Sequence, residues 1–370
     1  MRRARRAAHD LASCLRSMAI LRSRPGLKTA AMRAYCSLMA MRRLRNTILI
    51  GLIAGFFSQT LAQTDPCLDR AIPVGVYTAD GHSVLGLTAE NFQASLGGQR
   101  ARVAGAAYDA GPRRIVILVD RSSSMHTGDR LSLALAVAQA FVGSCQAQDS
   151  FAVVDFAATA ECAVPFGLSR DAVMAGIGRR IHARLPMGTT ALFDAVGRGL
   201  DLLAPAHVGD AIYLLTDGGD NASHISESEA EREVNGAGVR IYAVWMVDSV
   251  ARARAPDEVS GEQVVDTLVR KTGGEYVTLP PLTFQARWIS KGEFDASNVP
   301  RYERGVVALA SRGLAERIHQ FYRLEILLSS RLNKPANLKL RVVDASGHPH
   351  RHLSLTYPER LEACEAPTSN

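Results

Sequence analysis

The chain has 370 residues, 47% of them hydrophobic and 21% charged, an ordinary globular balance that excludes a mostly disordered or collagen-like polymer. Aromatic content is only 6%, and no apolar run approaches the ~20 residues of a membrane-spanning helix, which argues against a polytopic membrane protein. The formal charge of +7 is unevenly held: residues 1–62 carry 12 Lys/Arg against one acid, whereas 63–370 carry 31 basic and 35 acidic residues. Basicity therefore belongs to the leader. Composition gives no reason to expect a Lys/Arg-rich face on the folded part, and no nucleic-acid partner is expected.

In chain order, residues 1–62 read as a leader. Within it, Arg42, Arg43 and Arg45 precede an apolar core from Thr47 to Phe57, and Thr60 and Ala62 fit the small positions of a cleavage site. This predicts a signal peptide over about 41–62 and export to a secreted or periplasmic location, with no integral span after cleavage. Translation starting at Met41 or Met39 would leave the upstream part untranslated. Residues 63–111 read as a β segment, with alternation at Val74/Val76, a turn at Asp80-Gly81, and alternation again at Phe92/Ala94/Leu96.

From 112 to 280 strands and helices alternate. Ile115 to Val119 is a continuous apolar run, as in a strand buried on both faces. Leu131, Leu135, Ala138 and Val142 follow at helical spacing, then strands at Phe151–Phe156 and Cys162–Phe166. Helices near 170–184 and 191–204, a strand at Ile212–Thr216 and a capping box at Ser226/Glu229 come next, with the capped helix ending at Gly236. A strand at Val239–Val247 and a helix at Glu262–Lys271 complete the region. The expected fold is α/β: a doubly wound, Rossmann-like domain with a parallel sheet. Residues 281–302 read as a connector. Residues 303–370 read as a helix followed by strands around Tyr322, Leu340 and Leu355. The two β ends, each marginal alone, are expected to pair into a small β-sandwich-like unit.

Four cysteines follow the leader, and an even number in an exported chain favours disulfides. Of three possible pairings, chain position favours Cys145–Cys162 and Cys67–Cys364, with buried free thiols as the alternative. None has the CxxC or Cys/His spacing of a zinc site.

In a doubly wound sheet, ligands bind beyond the carboxyl ends of the strands. The first apolar run is followed there by Asp120-Arg121-Ser122-Ser123-Ser124, and Ile212–Thr216 by Asp217-Gly218-Gly219-Asp220-Asn221; Gly188-Thr189-Thr190 precedes a helix. Asp120, Ser122, Ser124, Thr190 and Asp217 thus form an all-oxygen set. It suits Mg²⁺, which takes six oxygens, keeps waters and usually meets one or two carboxylates; Mn²⁺ or Ca²⁺ are alternative occupants. One position left open would accept an external carboxylate.

That order of DxSxS, then Thr, then Asp resembles the metal-ion-dependent adhesion site of the von Willebrand factor type A domain. Gly86 to Phe92 (GLTAENF) and the tyrosines Tyr322 and Tyr357 are similar to segments flanking such domains in bacterial exported proteins. The resemblance implies an exported, non-enzymatic module that engages an acidic group on a protein partner through a metal. It departs from the pattern at Met187-Gly188, where two glycines are usual, so Thr189 competes with Thr190.

Two other readings stay open: a metal-dependent hydrolase using His126 or His224 as base, and a structural envelope component with a vestigial site. Asp220 and Asn221 are either partners of the site or plain turn residues. Arg121 is expected to be exposed, Asp155 to be a satisfied internal carboxylate, and Asp194 to answer only to a helix dipole. No GxSxG, HExxH, P-loop or GxGxxG motif occurs.

Overall fold

The computed structural model describes residues 65, 67–181, 188–247, 256–279 and 301–364. The expected leader and most of the expected connector lie outside the described residues. The central sheet contains strands β4 (Arg114–Asp120), β5 (Ser150–Phe156), β6 (Ala160–Val164), β7 (Ala211–Thr216), β8 (Arg240–Met246) and β9 (Tyr276–Leu279). Their spatial order is β6-β5-β4-β7-β8-β9. All neighbours run parallel except β6, which folds back antiparallel on β5 as the edge.

Helices cover both faces because the middles of β4, β7 and β8 (residues 115–119, 212–215 and 241–246) are apolar on both sides, with polar residues only at the strand ends. One face buries Ile115, Ile117 and Val119 under α1 (Arg130–Ser144) and α2 (Arg170–Gly176). The other buries Val116, Leu118, Ile212 and Leu214 under α3 (Leu192–Leu203), α4 (Glu227–Ala237) and α5 (Pro256–Lys271). The capping box on α4 forms as expected, but the helix runs past Gly236 and stops where Gly238 takes the left-handed conformation (φ 68°). Helix α6 (Arg301–His319) joins the first face beside α1: Leu314, Ala315 and Ile318 enter its core and Ser311 Oγ donates to Val137 O at 3.3 Å. It serves the central sheet rather than the strands that follow it.

Those strands and the N-terminal ones form a second sheet. Its members are β1 (Asp69–Thr78), β2 (Phe92–Leu96), β3 (Gln99–Asp109), β10 (Phe321–Leu327), β11 (Ala336–Val342), β12 (Leu353–Thr356) and β13 (Arg360–Leu361). They lie in the order β12-β1-β10-β3-β2-β11-β13, so strands from the two ends of the chain alternate. Ile72 faces Leu324 and Val74 faces Tyr322 across β1 and β10, and Leu340 faces Ala94 across β11 and β2. One apolar face of all seven strands shares a single core.

Cys67 and Cys364 are joined in a disulfide with Cα atoms 5.5 Å apart, closing a separation of 297 residues. The expected Cys145–Cys162 bond is absent and both thiols are free. The reason is the sheet between them. Cys145 packs on the face under α1, whereas Cys162 pairs with Val154, whose side chain enters the core of the opposite face.

Candidate metal centre

Strand order reverses at β4: the chain leaves it for β5 and β6, then returns on its other side to β7. Loops leaving β4 and β7 therefore open side by side at the carboxyl edge. Asp120 ends β4 with its side chain wholly buried. Its Oδ1 accepts the Ser122 N–H at 2.8 Å and its Oδ2 accepts the Thr216 hydroxyl at 2.6 Å. Ser122 Oγ lies 3.0 Å from Ser124 Oγ, and Ser124 donates to Asp217 Oδ1 at 2.9 Å. The other oxygen of Asp217 is ion-paired with Arg130, whose guanidinium is itself buried at the start of α1.

The third segment is stitched to both loops. The Ser123 N–H donates to Gly188 O at 3.1 Å, and the Gly188 N–H returns a bond to Ser123 Oγ at 2.9 Å. The Thr190 N–H donates to Asn221 Oδ1 at 2.7 Å, while Thr190 O accepts from the Asn221 and Ala222 amides at 2.9 and 3.1 Å. Asp220 Oδ1 accepts the Leu192 N–H at 2.8 Å and so caps α3 from outside the helix. Asp220 and Asn221 are thus the clamp that holds the Thr190 segment against the Asp217 loop. Thr190 is buried and Thr189 exposed, which favours Thr190 of the two.

Electrostatically the site is loaded with negative charge in a dry place. Burial, followed by the nearby Asp217 charge, pushes the Asp120 carboxyl up to about 7, and the Thr216 and Ser122 hydrogen bonds only partly offset this. Burial also raises Asp217, with Arg130 and Ser124 pulling the other way. Two carboxylates from neighbouring loops, joined through two hydroxyls, are a hard-cation donor set, and a divalent cation would relieve the repulsion between them. Among the described residues no group of three or more His, Cys, Asp or Glu could hold a metal, so a His/Cys-rich zinc centre is not what this edge offers. Arg130 neutralises part of the charge in the absence of metal.

The two histidines fare differently from the carboxylates. His224 is largely exposed, with Nδ1 2.7 Å from Asp194 Oδ2, and Asp194 also accepts the His224 and Ile225 amides at 2.9 and 3.2 Å. Asp194 is therefore a loop fastener as well as a first-turn acid. His126 is exposed. Arg121 is not the exposed flanking residue expected: its Nε donates to Asp155 Oδ2 at 2.7 Å and both side chains are mostly buried. Adjacent strands pair Asp120 with Phe156, so the residue after Asp120 naturally lies over the end of β5.

Sequence reading passed over Arg130 and Thr216, both touching the carboxylates. Thr216 carried a signal, since it directly precedes Asp217 at a strand end. Arg130 carried only its place at the head of the helix after the serine loop.

Residues 115–219 match the family model of the von Willebrand factor type A domain, and the central region is a Rossmann-like domain of that type. Solved structures with partial likeness include the BatB protein from Bacteroides thetaiotaomicron, at 18% identity over 55% of this chain and 98% of that one, with a TM-score of 0.37. A von Willebrand factor type A protein from Catenulispora acidiphila is 13% identical over 79% of this chain and 73% of its own, with a TM-score of 0.38. Proximal thread matrix protein 1 from the mussel byssus, with a zinc-occupied adhesion-site motif, is 20% identical over 59% of this chain, with a TM-score of 0.39; the chain spans about half of it, 49%. No curated protein sequence matches the chain.

Proposed function

We propose that the central domain is a binding module in which Asp120, Ser122, Ser124, Thr190 and Asp217 hold one Mg²⁺, with a remaining coordination position for an acidic group on a protein partner. Mn²⁺ or Ca²⁺ would use the same oxygens. The observation that carries this reading is the unbroken chain Asp120–Ser122–Ser124–Asp217 linking the β4 and β7 loops: the Ser122 amide donates to Asp120 Oδ1 at 2.8 Å, the Ser122 and Ser124 hydroxyls lie 3.0 Å apart, and Ser124 donates to Asp217 Oδ1 at 2.9 Å. Ser122 and Ser124 hold their hydroxyls beside both carboxylates, and Thr216 orients Asp120. The Asp220/Asn221 clamp keeps Thr190 at the same edge. Bound there, the cation supplies a Lewis-acidic position that an external carboxylate can fill. The chain is proposed to act after export, with the segment over about 41–62 removed.

A hydrolytic base is less well supported, because His224 is already engaged by Asp194 and exposed rather than presented to the carboxylates. Isothermal titration of the protein with Mg²⁺ and Mn²⁺ tests the proposal. One saturable site is expected in the wild type and none in Asp120→Ala. Silence of the wild type with both metals would remove the reading. Partner capture that survives chelation would remove its second half while leaving the metal site standing.

A further inference from the structure

The composition of residues 63–370 led us to expect no basic face, yet the second sheet carries one. On β2, β3 and β11 the alternating side chains Phe92, Ala94, Ala101, Val103, Leu338 and Leu340 point into the shared core. Alternation then sends Gln93, Ser95, Arg100, Arg102, Lys339 and Arg341 to the opposite face. Ser95 stands opposite Arg100 on one side and Lys339 on the other. One step along, Gln93 stands opposite Arg341, with Arg102 following Ala101 on the far strand. The result is two parallel rows of cation, neutral polar residue and cation, with neighbouring strands ~4.8 Å apart.

All four cations are exposed, and none has a hydrogen-bonding or ionic partner among the described residues. No acid occurs in β2 or β11, and the only one in β3, Asp109, is held by Arg113 at the far end. Beyond the rows lies an open hollow of about 880 Å³ whose lining mixes Leu96, Leu328, Leu332 and Pro335 with Arg100 and Lys334.

We propose that this face docks on an anionic lipid surface. Four unpaired cations on three adjacent strands are complementary in charge to a surface of headgroup phosphates, and arginine pairs with phosphate through a bidentate fork. Outward positions of β2, β3 and β11 hold no aromatic ring on which unpaired bases could stack, as single-stranded nucleic acid would require.

The test is sedimentation of the full chain with phosphatidylglycerol vesicles and with phosphatidylcholine vesicles. Binding is expected to the first only, and to vanish in about 1 M salt, where screening is complete within a few ångströms. The triple variant Arg100→Glu, Lys339→Glu, Arg341→Glu should bind about a hundredfold or more weakly. A charge-matched triple elsewhere, Arg198→Glu, Arg232→Glu, Arg312→Glu, should change binding less than about twofold. The leader is present in every variant, so its own charge cancels in the comparison.

Equal losses in both triples would overturn the proposal, as would wild-type binding to phosphatidylcholine. So would stronger, equally patch-dependent binding to polyglutamate or duplex DNA. Should the first triple fail to fold, Lys339→Gln with Arg341→Gln carries the same comparison, with an expected loss of about thirtyfold. Vesicle binding should be unchanged by chelator or by Asp120→Ala, which separates this face from the proposed metal centre.

Discussion

Asp120 is fully buried beside a second carboxylate, and that single fact sets the behaviour of the metal-free protein. Its carboxyl is raised, so it stabilises the fold most when protonated. That contribution is complete below the ordinary carboxylate range near ~4 and is lost as pH rises through about 7. Metal-free wild type should therefore melt lower at pH 8 than at pH 5, and Asp120→Asn should flatten that difference while abolishing metal binding. Thermal denaturation in chelator at the two pH values reads both effects. Arg130 is the counterpart. Arg130→Met leaves Asp217 buried and unpaired, so metal-free stability should fall by about 3–5 kcal/mol, with millimolar Mg²⁺ recovering part of it. Denaturant titration with and without the ion measures this, and a loss that Mg²⁺ leaves untouched would count against a cation sharing Asp217.

Among the elements, the decisive arrangement is a loop that caps a helix to which it is not adjacent in sequence. Asp220 reaches back to the Leu192 amide at the head of α3, and Asn221 to the Thr190 amide, so the β7 loop sets where Thr190 stands. Asp220→Ala should cost about 1 kcal/mol, as the loss of a cap does elsewhere. If the clamp positions the site, Mg²⁺ affinity should also fall severalfold, which titration calorimetry would detect. Gly218 is the other constraint at this level. Its φ of +100° and the 2.7 Å approach of an added Cβ to the Gly261 Cα leave no room for a side chain between the β7 loop and α5. Gly218→Ala should destabilise by more than ~1 kcal/mol, because strain and backbone overlap coincide there; chemical denaturation would show it.

Considered whole, the molecule is a doubly wound domain followed and preceded by strands that can form a sheet only together. Cys67–Cys364 ties those two ends across 297 residues of sequence. Loss of it through Cys364→Ser should cost about 2–5 kcal/mol, whereas Cys162→Ser should be nearly neutral. Peptide mapping after alkylation in denaturant without reductant should label Cys145 and Cys162 but spare Cys67 and Cys364. Most strands of both sheets (the short β9 and β13 gave no such pattern), the capping box on α4 and the motif order of the five proposed oxygen donors could be read from periodicity and spacing, because each is expressed in neighbouring residues. Arg130, the Asp220/Asn221 clamp, the burial of Arg121, the free state of Cys145 and Cys162 and the basic rows on β3 and β11 could not. Each depends on which distant segments meet and on which side of a sheet they meet. The chain's own pattern determined the elements and the chemistry at their ends; only packing decided which charges were buried together, which were neutralised and which were left facing water, since charge burial is a property of the assembled neighbourhood and not of any one stretch.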